Sequence, residues 1–340
     1  MQQNRKIIIR RIGSSFRDST EIVPEPWRDP GPGELLIRHQ FAGVNGVYDQ
    51  MMCLDRVEHT RVIQPADTGV EAVGIVEACG SDVEGFENGS AVATMTAGTG
   101  YRDWQVCKAS DAIAIPAASR KILALIPSGV SAMVALEQVG EMRSGETVCI
   151  TAATGGLGNV MTQLAVNAGN HVVAICGGDE KAARLTELGV ARVIQYKTES
   201  VTDVLSAEYS DRIDLAMDSV GGELFDALAD NLSPHGRLVI CGFTSDRVPT
   251  ATVEQQRIYT KLYWKAASIR GFMNYRYAEY ADDARRRLLE MLDAGSIDPL
   301  VDPTEFMGLE SIADAVEHLL AGRNVGKVIA DLRRRDQVAP

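Results

Sequence analysis

From residue 147 onward, short apolar runs and amphipathic stretches take turns along the chain. Val148-Cys149-Ile150 and Val172-Val173-Ala174-Ile175-Cys176 are unbroken apolar runs of strand length, and the intervening segment places Val160, Leu164, Ala165 and Ala168 at helical spacing. The pattern predicts strands at 147–152, 171–176, 192–195, 213–217, 237–242 and 268–272, and helices at 157–168, 179–188, 200–207 and 222–232. Alternation at this rhythm gives a doubly wound parallel sheet with helices on both faces, an α/β fold. Helices at 278–293 and 310–321 and a last strand at 327–331 follow.

The upstream pattern is different. Segments 6–12, 35–44, 69–80, 90–95 and 104–107 read as short strands punctuated by Gly and Pro, so the first ~110 residues are mainly β. Helical periodicity appears over 120–126 and again over 131–139, with Pro127 and Ser128-Gly129 as the expected break. The simplest organisation inserts a doubly wound domain, 121–273, into a β-rich domain made from 1–120 with 274–340. The cleft where two such halves meet is a default location for an active site.

Composition narrows the function classes. A chain of 340 residues, 45% hydrophobic and 24% charged, is long enough for two ordinary cores. The net charge of −12 leaves no basic face, which argues against a nucleic-acid partner. Six scattered cysteines with no C-x-x-C pair argue against a disulfide framework or a structural zinc lobe and fit a reducing, cytoplasmic setting. The N-terminus is too short in apolar residues for a signal segment, and no apolar run approaches bilayer length, so no membrane association is expected.

The candidate chemistry starts at Ala153-Thr154-Gly155-Gly156-Leu157-Gly158, between the first strand and its helix. Glycines there let backbone N–H groups and a helix N-terminus approach a pyrophosphate. The first glycine of the usual G-x-G-x-x-G is Ala153. The second strand ends in Cys176-Gly177-Gly178, without the acid that would hold a ribose 2′-hydroxyl, and Lys181 follows in the next helix. A cation beside a missing acid favours a 2′-phosphate and hence NADPH; Asp179, if aimed inward, would favour NAD.

Gly43-Val44-Asn45, Gly69-x-Glu71-x-x-Gly74-x-Val76, Gly145-Glu146-x-Val148, the glycine turn, Asp218-Ser219-Val220-Gly221-Gly222 and Gly236-Arg237-Leu238 together resemble the medium-chain dehydrogenase/reductase superfamily. Within it the chain is most similar to the zinc-free quinone reductase group, in the branch of the prostaglandin reductase 3 type. The closer match is carried by Asp179-Glu180-Lys181, Gln195-Tyr196-Lys197-Thr198-Glu199, Gly271-Phe272 and Gly308-Leu309-Glu310-Ser311-Ile312. The resemblance implies a Rossmann sheet within a GroES-like catalytic domain, and a homodimer paired through the strand at 268–272. It assigns Lys181 and Tyr196 to the 2′-phosphate, with Gly177 standing where relatives carry Ser. It also lines the cofactor with Asn45, Thr154, the Gly155, Gly156, Leu157 and Gly158 backbone, Ser219, Cys241, Phe272, Met273 and Asn324.

Zinc-dependent members place Cys where this chain has Val44 or Asn45, and His where it has Val70. Valine has no donor atom, and His39 and His59 stand alone, so no metal is expected. Without a Lewis acid, the resemblance implies hydride transfer to the C=C bond of an α,β-unsaturated ketone or aldehyde, with charge passing to an enolate oxygen. Asn45 is the candidate N–H donor for that oxygen, or else an Asn-Gly turn residue. Tyr48 is a candidate proton donor or carbonyl ligand, with Tyr101 and the Tyr275, Tyr277 and Tyr280 cluster as rivals and water as an alternative proton source. Met51, Met52, Met95 and Met273 fit a compliant apolar pocket or simply core. A quinone reductase is the alternative enzyme, and a non-catalytic NADPH-binding protein the alternative of another class.

Overall fold

Six parallel strands form the sheet that the alternating pattern predicts. In the computed structural model, which describes residues 4–13, 15–57, 61–245 and 257–333, they are Thr147–Ile150, His171–Cys176, Arg192–Gln195, Ile213–Asp218, Leu232–Ile240 and Ser268–Gly271. Numbered along the chain, they lie in the order 3-2-1-4-5-6, all neighbours parallel. Val148, Cys149, Ile150, Val172, Val173, Ala174, Leu215, Ala216 and Met217 are fully buried. Burial on both faces is why these strands read as continuous apolar runs rather than as alternation. The order reverses between the first and fourth strands, and such a reversal opens a crevice at the strands' carboxyl ends.

The chain divides into two units, 1–127 with 301–340, and 128–300. The expected boundaries, 120/121 and 273/274, are therefore displaced. Segment 274–300 belongs with the parallel sheet because its side chains and backbone are tied there. Arg287, in the helix Ala281–Asp293, makes a bidentate pair with Glu137. Asn167 Nδ2 donates to Ser296 O, and Gln163 exchanges two hydrogen bonds with the Asp298 backbone.

The expected break at Pro127 is also absent. The helix Arg120–Val134 runs through it and continues as a wider turn over Ala135–Val139. Leu123, Ala124, Leu125, Ile126, Ala132 and Met133 are almost wholly buried, so packing overrides the local cost of an interior proline. The whole of Arg120–Val139 is thus long and apolar enough to cross a membrane, against the expectation that no such run exists. Its most apolar window is 72% buried inside the protein, as a core helix is.

In the other unit, Asn4–Ile9, Thr20–Glu25 and Ala66–Asp67 make a small sheet, and seven further strands make a second. The long strand Glu34–Gly43 is central to the second. It pairs antiparallel with Glu71–Cys79 and, from the far end of the sequence, with Ile329–Asp331. The helices Gly46–Cys53 and Ile312–Leu320 close over an apolar core that includes Ile7, Phe16, Val44, Tyr101 and Val316.

Candidate functional site

At the end of the first strand the chain makes the glycine turn, and close contacts explain its residues. A Cβ at Gly158 would lie 2.2 Å from Ala152 O, so only glycine lets the helix Gly158–Asn167 start this near the strand. Ala153, in place of the motif's first glycine, is fully buried and donates its N–H to Ile175 O at 3.1 Å. Gly155, Gly156 and Leu157 are half-buried, and Thr154 is buried. Asn159 Nδ2 donates to Gly155 O and Gly156 O at 2.7 and 3.0 Å, while its Oδ1 accepts from Leu300 N. This strut beneath the turn was not anticipated from the sequence.

At the end of the second strand, Tyr196 lies over Gly177: a Cβ there would sit 2.4 Å from the ring and 2.5 Å from the hydroxyl. Glycine at 177 thus makes room for the tyrosine. The Asp179 carboxylate accepts a 3.0 Å hydrogen bond from Gln195 Nε2, which ties the acid to the neighbouring strand end. Burial pushes the Cys176 thiol up to about 11, opposed by the positive charge of nearby Lys181. Gly177, Lys181 and Tyr196 therefore share this strand end.

A buried acid organises the fourth strand end. Asp218 Oδ1 accepts from the Thr151 hydroxyl at 2.8 Å and from Val220 N, and Oδ2 accepts from Gly221 N. Ser219 N donates back to Thr151 Oγ1, and Cys241 N to Asp218 O. The Cys241 thiol is pushed up to about 12, by burial first and then by Asp218. Phe272 N donates to Ile240 O, its ring packs on Tyr277 at 5.8 Å, and Met273 is exposed. Ser219, Cys241 and Phe272 thus gather at the carboxyl ends of adjacent strands.

The unit 1–127 with 301–340 holds a buried polar network. Asn45, at the start of the helix Gly46–Cys53, donates from Nδ2 to Glu71 Oε1 at 3.2 Å and accepts from Lys327 Nζ at 3.0 Å. Lys327 and Glu71 form an ion pair with side chains only 4% and 3% exposed. Asp49 Oδ2 accepts from Asn45 N and from the Tyr101 hydroxyl, at 3.2 and 2.6 Å. Burial, partly offset by these hydrogen bonds, raises the Asp49 carboxyl to about 7. Tyr101 is fully buried here with its hydroxyl committed to Asp49, and burial raises that hydroxyl well above the usual phenol range. Tyr48 is half-buried, its phenol raised by burial and then by Asp49. Tyr275 and Tyr280 are exposed. Asn324 Nδ2 donates to Gly326 O, a local turn contact.

Sequence reasoning missed Asp49 and Lys327 as members of this network. The available signal was charge in apolar company: Lys327 opens the run Val328-Ile329-Ala330, as Glu71 opens Ala72-Val73.

His39 is a satisfied core residue. Its ring nitrogens meet Arg102 O and Gln105 Oε1, both at 3.1 Å, and burial lowers it to about 4. His59 lies outside the described residues. Among the described residues, no three His, Cys, Asp or Glu side chains are grouped to hold a metal ion. With Val70 where zinc-dependent relatives carry His, a zinc ion does not fit the donors present.

Comparison with known proteins places these features. The family described as "Zinc-binding dehydrogenase" matches residues 156–292, and "Alcohol dehydrogenase GroES-like domain" matches 31–193. Prostaglandin reductase-3 of Mus musculus is 36% identical over 339 residues, covering 96% of this chain and 89% of that protein. A probable quinone oxidoreductase of Leishmania amazonensis is 31% identical, covering 97% and 98%. Among solved structures, CurA of Vibrio vulnificus in complex with NADPH has the same fold, with a TM-score of 0.85, 24% identity and coverage of 97% and 99%. The chain belongs to the medium-chain dehydrogenase/reductase superfamily, in its quinone oxidoreductase-like part, and is an NAD(P)-dependent oxidoreductase.

Proposed function

We propose that this enzyme uses NADPH to reduce the C=C bond of α,β-unsaturated ketones and aldehydes. The observation that carries the cofactor choice is the second strand end. Asp179 is held by Gln195, Tyr196 lies over Gly177, and Lys181 supplies positive charge. A 2′-phosphate suits that arrangement better than a bare ribose. NADPH in the CurA complex supports the same reading, and the name of the mouse relative supports an enone substrate.

The glycine turn 153–158, Ser219, Cys241, Phe272, Met273 and Asn324 complete the proposed nucleotide contacts. The chemistry the nucleotide supplies when bound is hydride delivery to the carbon β to a carbonyl. The chain's own task is to orient the acceptor and receive negative charge on the carbonyl oxygen. Asn45 is the neutral donor for that oxygen. Water supplies the proton for the α-carbon, and Tyr48, its phenol raised by burial and then by Asp49, stays protonated. Tyr48 serves as a second ligand for the carbonyl.

The test is an NADPH-oxidation screen over enones, alkenals and quinones with mass-spectrometric identification of products. Saturated ketones or aldehydes are expected. Turnover of quinones alone, to hydroquinone or semiquinone, would replace this reading with the quinone reductase that the Leishmania relative's name favours.

A further inference from the structure

We propose that Lys327 and Glu71 are positioning residues that act through Asn45, fixing which end of its amide faces the substrate. The inference rests on Asn45 being the carbonyl donor.

A side-chain amide has an oxygen acceptor at one end and an NH2 group with two donors at the other; rotation by half a turn exchanges them. In this structure the two ends meet opposite charges. Oδ1 lies 3.0 Å from the Lys327 ammonium and Nδ2 lies 3.2 Å from the Glu71 carboxylate. Rotation would set the NH2 group against the ammonium and the oxygen against the carboxylate. Both contacts would then repel, in surroundings where water screens them little. One N–H of the amide goes to Glu71, and the second is the one assigned to substrate.

Both clamp residues are built into the backbone. A Cβ at Gly43 would lie 2.1 Å from Glu71 Oε1, so the carboxylate is folded against its own register partner in the sheet. Lys327 is carried by backbone bonds on either side: Asp302 N donates to Lys327 O, and Val44 N to Val328 O, at 2.9 and 3.0 Å. Stability alone gives little reason for this arrangement, since well-packed apolar residues often replace a buried ion pair at no cost. Orientation of a reacting group does give one.

The test is a double-mutant cycle in kcat. Lys327→Met alone leaves a buried carboxylate unpaired and risks misfolding. The main variant is therefore Lys327→Met with Glu71→Gln, which removes both charges and keeps volume; isosteric Glu71→Gln alone is the fallback. Each is made with and without Asn45→Ala, checked by thermal melting, and assayed for NADPH oxidation with benzalacetone.

We expect the clamp variants to lose roughly 10- to 100-fold in kcat with KM for NADPH unchanged, and to lose nothing further once Asn45 is alanine. A clamp variant with wild-type kcat, or one that loses the same factor in the Asn45→Ala background, overturns the proposal. Wild-type kcat in Asn45→Ala itself, or no turnover of benzalacetone by the native enzyme, defeats the reading beneath it. Those outcomes are distinguishable from failure of the clamp alone.

Discussion

Asp49 makes the stability of this chain depend on pH. Its folded-state carboxyl sits near 7, above its ordinary range, mainly because it is buried. Below pH ~4 it is protonated whether the chain is folded or not. As pH rises from there, the unfolded chain releases the proton while the folded chain keeps it, so stability falls until the folded group also titrates. Asp49→Asn retains an acceptor for Tyr101 and the Asn45 N–H but cannot ionise. Its melting temperature relative to wild type should therefore rise between pH 5 and pH 8; a constant difference would refute the argument. At the other proposed site, Lys181→Ala should raise KM for NADPH far more than for NADH. Equal effects would remove Lys181 from 2′-phosphate recognition.

Among the elements, legibility followed the origin of each signal. The parallel strands could be read because burial on both faces writes an uninterrupted apolar run, as in Val172–Cys176. The helix through Pro127 could not, since local propensity argues for a break and only packing of Leu123, Leu125, Ile126 and Met133 sustains it. Segment 274–300 was assigned to the wrong unit because nothing local in Asp298 or Leu300 shows that Gln163 and Asn159 hold their backbone. Lys181 stood out by its place after the acid-less second strand, while Asn45, Gly177 and Tyr196 drew attention through the family resemblance. The clamp on Asn45 did not, because its members lie 26 and 282 positions away along the chain.

For the whole molecule, the strand Ser268–Gly271 ends the parallel sheet and, among the described residues, is bonded on one side only, to Leu232–Ile240. Tyr263 and Trp264, just before it, are 75% and 85% exposed. An unpaired edge beside exposed aromatic surface fits the homodimer proposed from the family resemblance, with two such edges meeting across a two-fold axis. Size-exclusion chromatography with light scattering should show a dimer for the native chain and a monomer for Trp264→Glu; a monomeric native chain would refute it.

The pairing of Glu71 with Lys327 also bears on how the protein is made. On the ribosome, the carboxylate emerges more than two hundred residues before the ammonium that neutralises it. Until then the unit that holds Glu71 faces a choice between burying a lone negative charge and staying open. The closing strand Ile329–Asp331, which follows Lys327 directly, resolves that choice. This unit can therefore finish folding only after Lys327 has emerged, and a nascent chain halted before it would hold Asn45 without its latch.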